Sequence, residues 1–186
     1  MTPHIASKLE CWIRGIDKTT EVLGKSVAWL TLLMMFISVI VVVLRYLLNI
    51  GNIALQESVM YLHAFLFMSA VAFTLKHDGH VRVDIFYRRM SKRAQAWVDL
   101  CGGLLLLLPV TLFIGISSWD YVINSWMLQE SSPEAGGLPL VYLLKGMIFM
   151  LVFTLALQGI AEILRNLMAI LGWASAPEHH VNEEML

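Results

Sequence analysis

The residues of this chain best suited to redox, metal or nucleophilic chemistry are its histidines and its two cysteines. Cys11 and Cys101 stand far apart with no C-x-x-C pair, so the sequence offers no dithiol couple, and both thiols read as structural. Only His63 falls well inside an apolar stretch. A bis-histidine haem needs two facing imidazoles at membrane depth, and one cannot serve. His63 is therefore expected as a hydrogen-bonded polar residue at a helix contact. His77, Asp78 and His80 form only a loose, metal-like cluster on a loop. P-loop, nucleophile-elbow and H-E-x-x-H patterns are absent. The expectation is a non-enzyme with no catalytic residue, no cofactor and no metal.

The other candidates are charges at the ends of apolar stretches: Arg45, Glu57, Asp99, Lys145 and Glu162. A charge at the bilayer centre costs roughly 3 kcal/mol on insertion scales, and none is placed there. Arg45 and Glu57 flank a short connection, where they either pair or face headgroups separately. Gln158 is the most polar residue deep in the last apolar stretch, and Pro109 is positioned to kink the one before it. Neither makes a solute path, which would need ionisable groups near the midplane.

The elements that position these residues follow from composition. Hydrophobic types make up 58% of the 186 residues and charged types only 15%. A soluble domain of this length could not cover so much apolar surface. With a net charge of -1, nothing points to a nucleic-acid partner. Ser26–Leu44, Ser58–Leu75 and Leu100–Trp119 are uncharged, as is Gly146–Ala161, with Lys145 able to snorkel at its start. The fold class expected is an all-α integral membrane protein of four transmembrane helices, spanning about 26–48, 56–75, 96–119 and 139–164. These form a single membrane domain over 1–175, followed by a polar tail over 176–186 expected to be disordered.

Orientation follows from the basic residues. Lys8, Arg14, Lys18 and Lys25 precede the first span. Lys76, Arg82, Arg88, Arg89, Lys92 and Arg93 lie between the second and third, and Arg165 follows the fourth. Only Arg45 and Lys145 fall on the other side, two of the 13 basic residues. The asymmetry places both termini and the middle connection in the cytoplasm. Trp29, Trp97, Trp119, Trp126 and Trp173 sit near span ends, at headgroup level.

Residues 7–25 have an apolar stripe of Leu9, Trp12, Ile13, Ile16 and Leu23, with Ser7 and Glu10 spaced as a capping box. They predict an amphipathic helix, either lying at the membrane interface and available to a partner or extending the first span. In the middle connection Asp78-Gly79 is a turn signal, Asp84 is placed to cap a short helix, and Ser91 to cap one running into the third span. Its basic residues suit anionic lipid headgroups, so membrane lipids are expected partners. It reads either as a topology-setting loop or as a helical elbow that docks on a neighbouring subunit. Asp120 to Pro139 is turn-rich and acidic, and reads either as a simple connecting loop or as an exposed contact for a soluble periplasmic partner, with Glu130 and Glu134 as the candidate residues. Ala64, Ser69, Ala70 and Ala72 in the second span, and Gly102, Gly103, Thr111 and Gly115 in the third, allow close helix approach.

The Gly79-His80-Val81-Arg82-Val83-Asp84-Ile85-Phe86 segment after the second span, and Gly136-Gly137-Leu138-Pro139-Leu140 with Leu144-Lys145 before the fourth, resemble the small permease (Q-type) subunit of TRAP transporters, the tripartite ATP-independent periplasmic systems. The similarity covers about residues 20–170. It implies a bacterial inner-membrane protein that scaffolds a large (M-type) elevator permease subunit. A periplasmic binding protein then delivers an organic acid for sodium-coupled uptake. The family carries over no catalytic or ion-binding residue. His80, Arg82 and Asp84 match its mark, and they and the neighbouring Arg88 and Arg89 are expected in a structural or docking role. The competing readings are a membrane anchor or cytochrome-b-like subunit of a respiratory enzyme, which the shortage of intramembrane histidines opposes, and an independent small exporter.

Overall fold

The computed structural model describes residues 3–80, 84–87 and 89–173, and every regular element among them is helical. Helix α1 spans Pro3–Ala28 and α2 spans Leu30–Leu47, with only Trp29 between them. Pro3 presets the backbone for a first helical turn. That early start puts Ser7 inside α1, so the expected capping box does not mark the helix end.

Helix α3 spans Ile53–Lys76. Its extended N-cap residue, Asn52, accepts the Leu55 N–H at 3.0 Å. The helix closes at the predicted turn: the Gly79 N–H donates to the Thr74 carbonyl at 2.9 Å and the Asp78 N–H to that of Leu75 at 3.1 Å. Asp78 carries the positive φ of 53°, whereas Gly79 is needed for space, because a Cβ there would stand 3.0 Å from the Thr74 methyl.

A short helix, α4 (Asp84–Tyr87), leads to α5 (Lys92–Gly102), a π-helical turn (Gly103–Leu107), α6 (Leu108–Ser117) and α7 (Trp119–Leu128). Ser91 caps α5 as expected, its hydroxyl accepting the Ala94 N–H at 3.3 Å. Pro109 has no N–H for the helix ladder, and the wide turn just before it is where the helix absorbs that loss. Helix α7 carries the third apolar stretch beyond the expected end at 119. Asp120 is helical, and the connection shortens to residues 129–140. The reason lies in α7's packing, which buries Val122 and Ser125.

Helix α8 (Val141–Ile170) is the axis of the bundle and packs against α1, α3, α5, α6 and α7. It ends in the same closure as α3, with the Trp173 N–H on the Met168 carbonyl at 2.9 Å and the Gly172 N–H on that of Ala169 at 3.2 Å. Glycines set the approach of the third span to α8. A Cβ on Gly103 would stand 2.8 Å from Ile163, one on Gly159 2.9 Å from Leu107, and one on Gly146 3.0 Å from the Trp126 ring. Without a hydrophobic force between helices in lipid, such close fit contributes to association through van der Waals packing, alongside hydrogen bonds between helices. Helix α2 packs on α3 and α1 and buries none of its side chains. Ala6–Leu47, Ile53–Lys76, Lys92–Leu128 and Val141–Ile170 are each long and apolar enough to cross a membrane.

Candidate functional site

Three groups of polar side chains tie the helices together. The first lies where α1 crosses α3 and α8. Gln158 of α8 is fully buried. Its carbonyl oxygen accepts the Thr20 hydroxyl at 2.9 Å, and its amide donates to Asp17 at 3.0 Å and Glu162 at 3.2 Å. Arg165 closes the group, 2.7 Å from Asp17 and 2.5 Å from Glu162. On the α3 side, the Lys76 ammonium lies 2.5 Å from the Glu21 carboxylate and 3.1 Å from the Asp17 carbonyl. The His77 Nδ1–H donates to the Phe73 carbonyl, 3.0 Å away, and its other ring nitrogen lies 3.2 Å from Glu21. Gly24 lets α1 settle onto the Phe73 ring.

This assembly gives the amphipathic N-terminal helix a binding face within its own chain. Ile13, Thr20 and Val27 are buried there, while Trp12, expected on the apolar stripe, is 73% exposed. Sequence reasoning set Asp17 and Glu21 off the apolar stripe as solvated charges and passed over Thr20 and Gly24. The available signal was their spacing, which continues the face of Ile13 and Val27 at helical period.

The second group holds the loop between α7 and α8. Glu57, near the start of α3, accepts the Leu138 N–H at 2.6 Å and the Ser132 hydroxyl. The Gly136-Gly137 pair follows from this geometry. Gly136 has a φ of 81°, and a Cβ on Gly137 would strike Ser132 and Glu57. Lys145 lies 2.5 Å from Glu130 and 4.0 Å above the Tyr121 ring. Trp126 meets Tyr142 edge-on at 5.2 Å. The Glu130 carboxyl is held below its ordinary 4.5, first by the hydrogen bond from Lys145, against a smaller opposing effect of burial. Glu134 is exposed.

Arg45 and Glu57 do not pair. Glu57 is engaged by the loop, and Arg45 lines a separate cavity with Val41, Ile50, Asn52 and Gln56, without an ion pair among the described residues. The loop folds back over α3 and reaches Glu57, which proximity along the chain could not reveal.

The third group is the elbow. The Tyr87 hydroxyl donates to Asp99 at 2.6 Å, and the Gln95 amide donates to the Tyr87 carbonyl at 2.9 Å. These bonds fold α4 back onto α5. His80 and Arg89 are exposed, and Asp84 opens α4. Arg82, Arg88 and the tail over 176–186 lie outside the described residues. His63 does not fulfil its expectation. It is exposed on α3, its ring near Phe67 at 6.3 Å, with no hydrogen bond among the described residues, because it points away from the faces α3 shows to α1 and α8.

Cys11 and Cys101 are single, exposed thiols. Among the described residues no group of His, Cys, Asp or Glu is arranged to hold a metal ion. What the polar side chains do is join helices. Four apolar helical stretches and this all-helical bundle define a multi-pass membrane protein. The family model for the DctQ component of tripartite ATP-independent periplasmic transporters matches residues 33–169, and the chain belongs to that family, whose members are membrane subunits of TRAP transporters. The match begins within α2, so α1 precedes it. No curated protein and no solved structure matches the chain.

Proposed function

We propose that this chain steadies and enlarges the fixed scaffold of a large TRAP permease subunit, supporting sodium-coupled uptake of an organic acid delivered by a periplasmic binding protein. The bundle sits in the bacterial inner membrane with both ends of the chain in the cytoplasm, a reading supported by the basic bias of the α3–α5 connection and of α1. The observation that carries the scaffold role is the use of the charges between helices: Asp17, Glu21, Lys76, Glu162 and Arg165 pair with one another inside the chain. Solute recognition then falls to the partner subunit. The elbow, with His80, Arg82, Asp84, Arg88 and Arg89, is a docking element on the cytoplasmic side. The loop bearing Glu130 and Glu134 faces the binding protein.

The test is uptake of a panel of labelled organic acids into proteoliposomes under an inward sodium gradient. Transport is expected with the chain, its large partner and the binding protein together, and neither with the chain alone nor without it. Uptake by this chain alone would overturn the reading. Glu134→Lys is the cleaner probe of the periplasmic contact, since Glu130 is already engaged by Lys145. It should weaken coupling to the binding protein, and unchanged uptake would remove that contact.

A further inference from the structure

At the turn from α4 into α5, Arg89, Lys92 and Arg93 have no counter-ion among the described residues. All three are exposed, and their side chains make no hydrogen bond among those residues either. Nearby carboxylates are used elsewhere: Asp99 of α5 accepts the Tyr87 hydroxyl at 2.6 Å, and Glu162 of α8 is held by Arg165 at 2.5 Å.

Lys92, Arg93 and Ala96 form one wall of a cleft of about 480 Å³, and residues 169–172 at the end of α8 form the other. That helix end does not consume the cations, because the Met168 and Ala169 carbonyls already hold backbone amides. Helix α4, joined to α5 by the Tyr87–Asp99 and Gln95–Tyr87 bonds, turns apolar side chains outward. Ile85 is 68% exposed and Phe86 73%, and Trp97 stands exposed one turn beyond Arg93. Cations beside outward apolar and indole side chains, at the end of membrane-spanning helices, match the boundary between phosphate headgroups and acyl chains. The cleft's size is that of a small-ligand site.

We infer that the cleft between α5 and α8 binds an anionic phospholipid. The headgroup phosphate lies against Lys92 and Arg93 with Arg89 beside them, and Ile85, Phe86 and Trp97 enter the acyl-chain region. A cation close to an anionic leaflet contributes roughly fivefold in affinity. The inference goes beyond the transport reading and does not depend on which solute is carried.

The full chain, purified in a neutral detergent, would be titrated with phosphatidylglycerol and, separately, phosphatidylcholine, and retained lipid counted by native mass spectrometry. Retention should favour phosphatidylglycerol, and an Arg89→Gln/Lys92→Gln/Arg93→Gln variant should lose that preference by about tenfold or more. Unchanged helical circular dichroism confirms that the variant folds, and an Arg93→Lys variant should keep the preference. Three outcomes overturn the site: an equal loss in a Lys8→Gln/Lys18→Gln control, meaning diffuse attraction; loss of a copurifying protein partner with lipid preference intact; or a preference seen only after residues 176–186, with Glu178, Glu183 and Glu184, are removed.

Discussion

Thr20 of α1 donates its hydroxyl to the side-chain carbonyl of Gln158 at 2.9 Å, and both residues are buried. This bond joins positions 138 residues apart and sits at the centre of the contact that seats α1 against α8. Thr20→Val should destabilise the folded chain by about 1 kcal/mol, and Gln158→Leu by about 2 kcal/mol, since it also releases Asp17 and Glu162. A double-mutant cycle on thermal unfolding in detergent would measure the coupling. Additive effects would show that the two side chains act separately.

Arg165 pairs with both Asp17 and Glu162, the one cation among the described residues to do so, and its side chain is 24% exposed. Arg165→Met leaves two carboxylates facing each other in a largely dry contact. Allowing for partial solvation, the cost should be about 2 kcal/mol. Protease access to α1 would read the same change, and an unaltered cleavage rate would argue against a clamp.

Gly102 and Gly103 are adjacent and should respond oppositely to alanine. Nothing lies within 4 Å of a Cβ on Gly102, so Gly102→Ala should be neutral or slightly stabilising through helix propensity. A Cβ on Gly103 would stand 2.8 Å from Ile163, so Gly103→Ala should cost about 1 kcal/mol and Gly103→Leu about 3 kcal/mol. Melting temperatures of the three variants would decide it.

The Lys145–Glu130 pair should make the α7–α8 loop sensitive to acid. The Glu130 carboxyl is held below 4.5 in the folded chain, so its contribution is complete above that value and is lost as pH falls through the lowered one. Trp126, near Tyr142 at the same end of the bundle, supplies a fluorescence signal. Glu130→Gln should abolish the acid-dependent part of that signal. A persisting transition would assign it to another carboxyl.

Gly137→Ala should loosen the loop without disturbing the helices, because its Cβ would strike Ser132 and Glu57. Faster protease cleavage between 129 and 140, with helical content unchanged, is the expected result. An unchanged cleavage rate would mean that the loop accommodates the methyl group without releasing Glu57.

Much of this molecule was legible along the chain. Hydropathy is a sum over neighbouring residues, so the four apolar stretches could be located from windows of sequence. Caps and turns are equally local: Ser91 reaches Ala94, and Asp78-Gly79 closes α3 onto Thr74 and Leu75. Partners were not legible in this way. The choice of the loop over Arg45 by Glu57, the burial of Gln158 against Thr20, and the outward position of His63 depend on which helix faces meet, and those faces are set by where Gly103, Gly159 and Gly24 permit close approach. The amino-acid sequence alone determined that this is a four-span helical membrane protein with a strong charge bias. Only the tertiary structure decided that its N-terminal helix is clamped to α3 and α8, because a bond between distant residues forms only when packing has brought their backbones within side-chain reach.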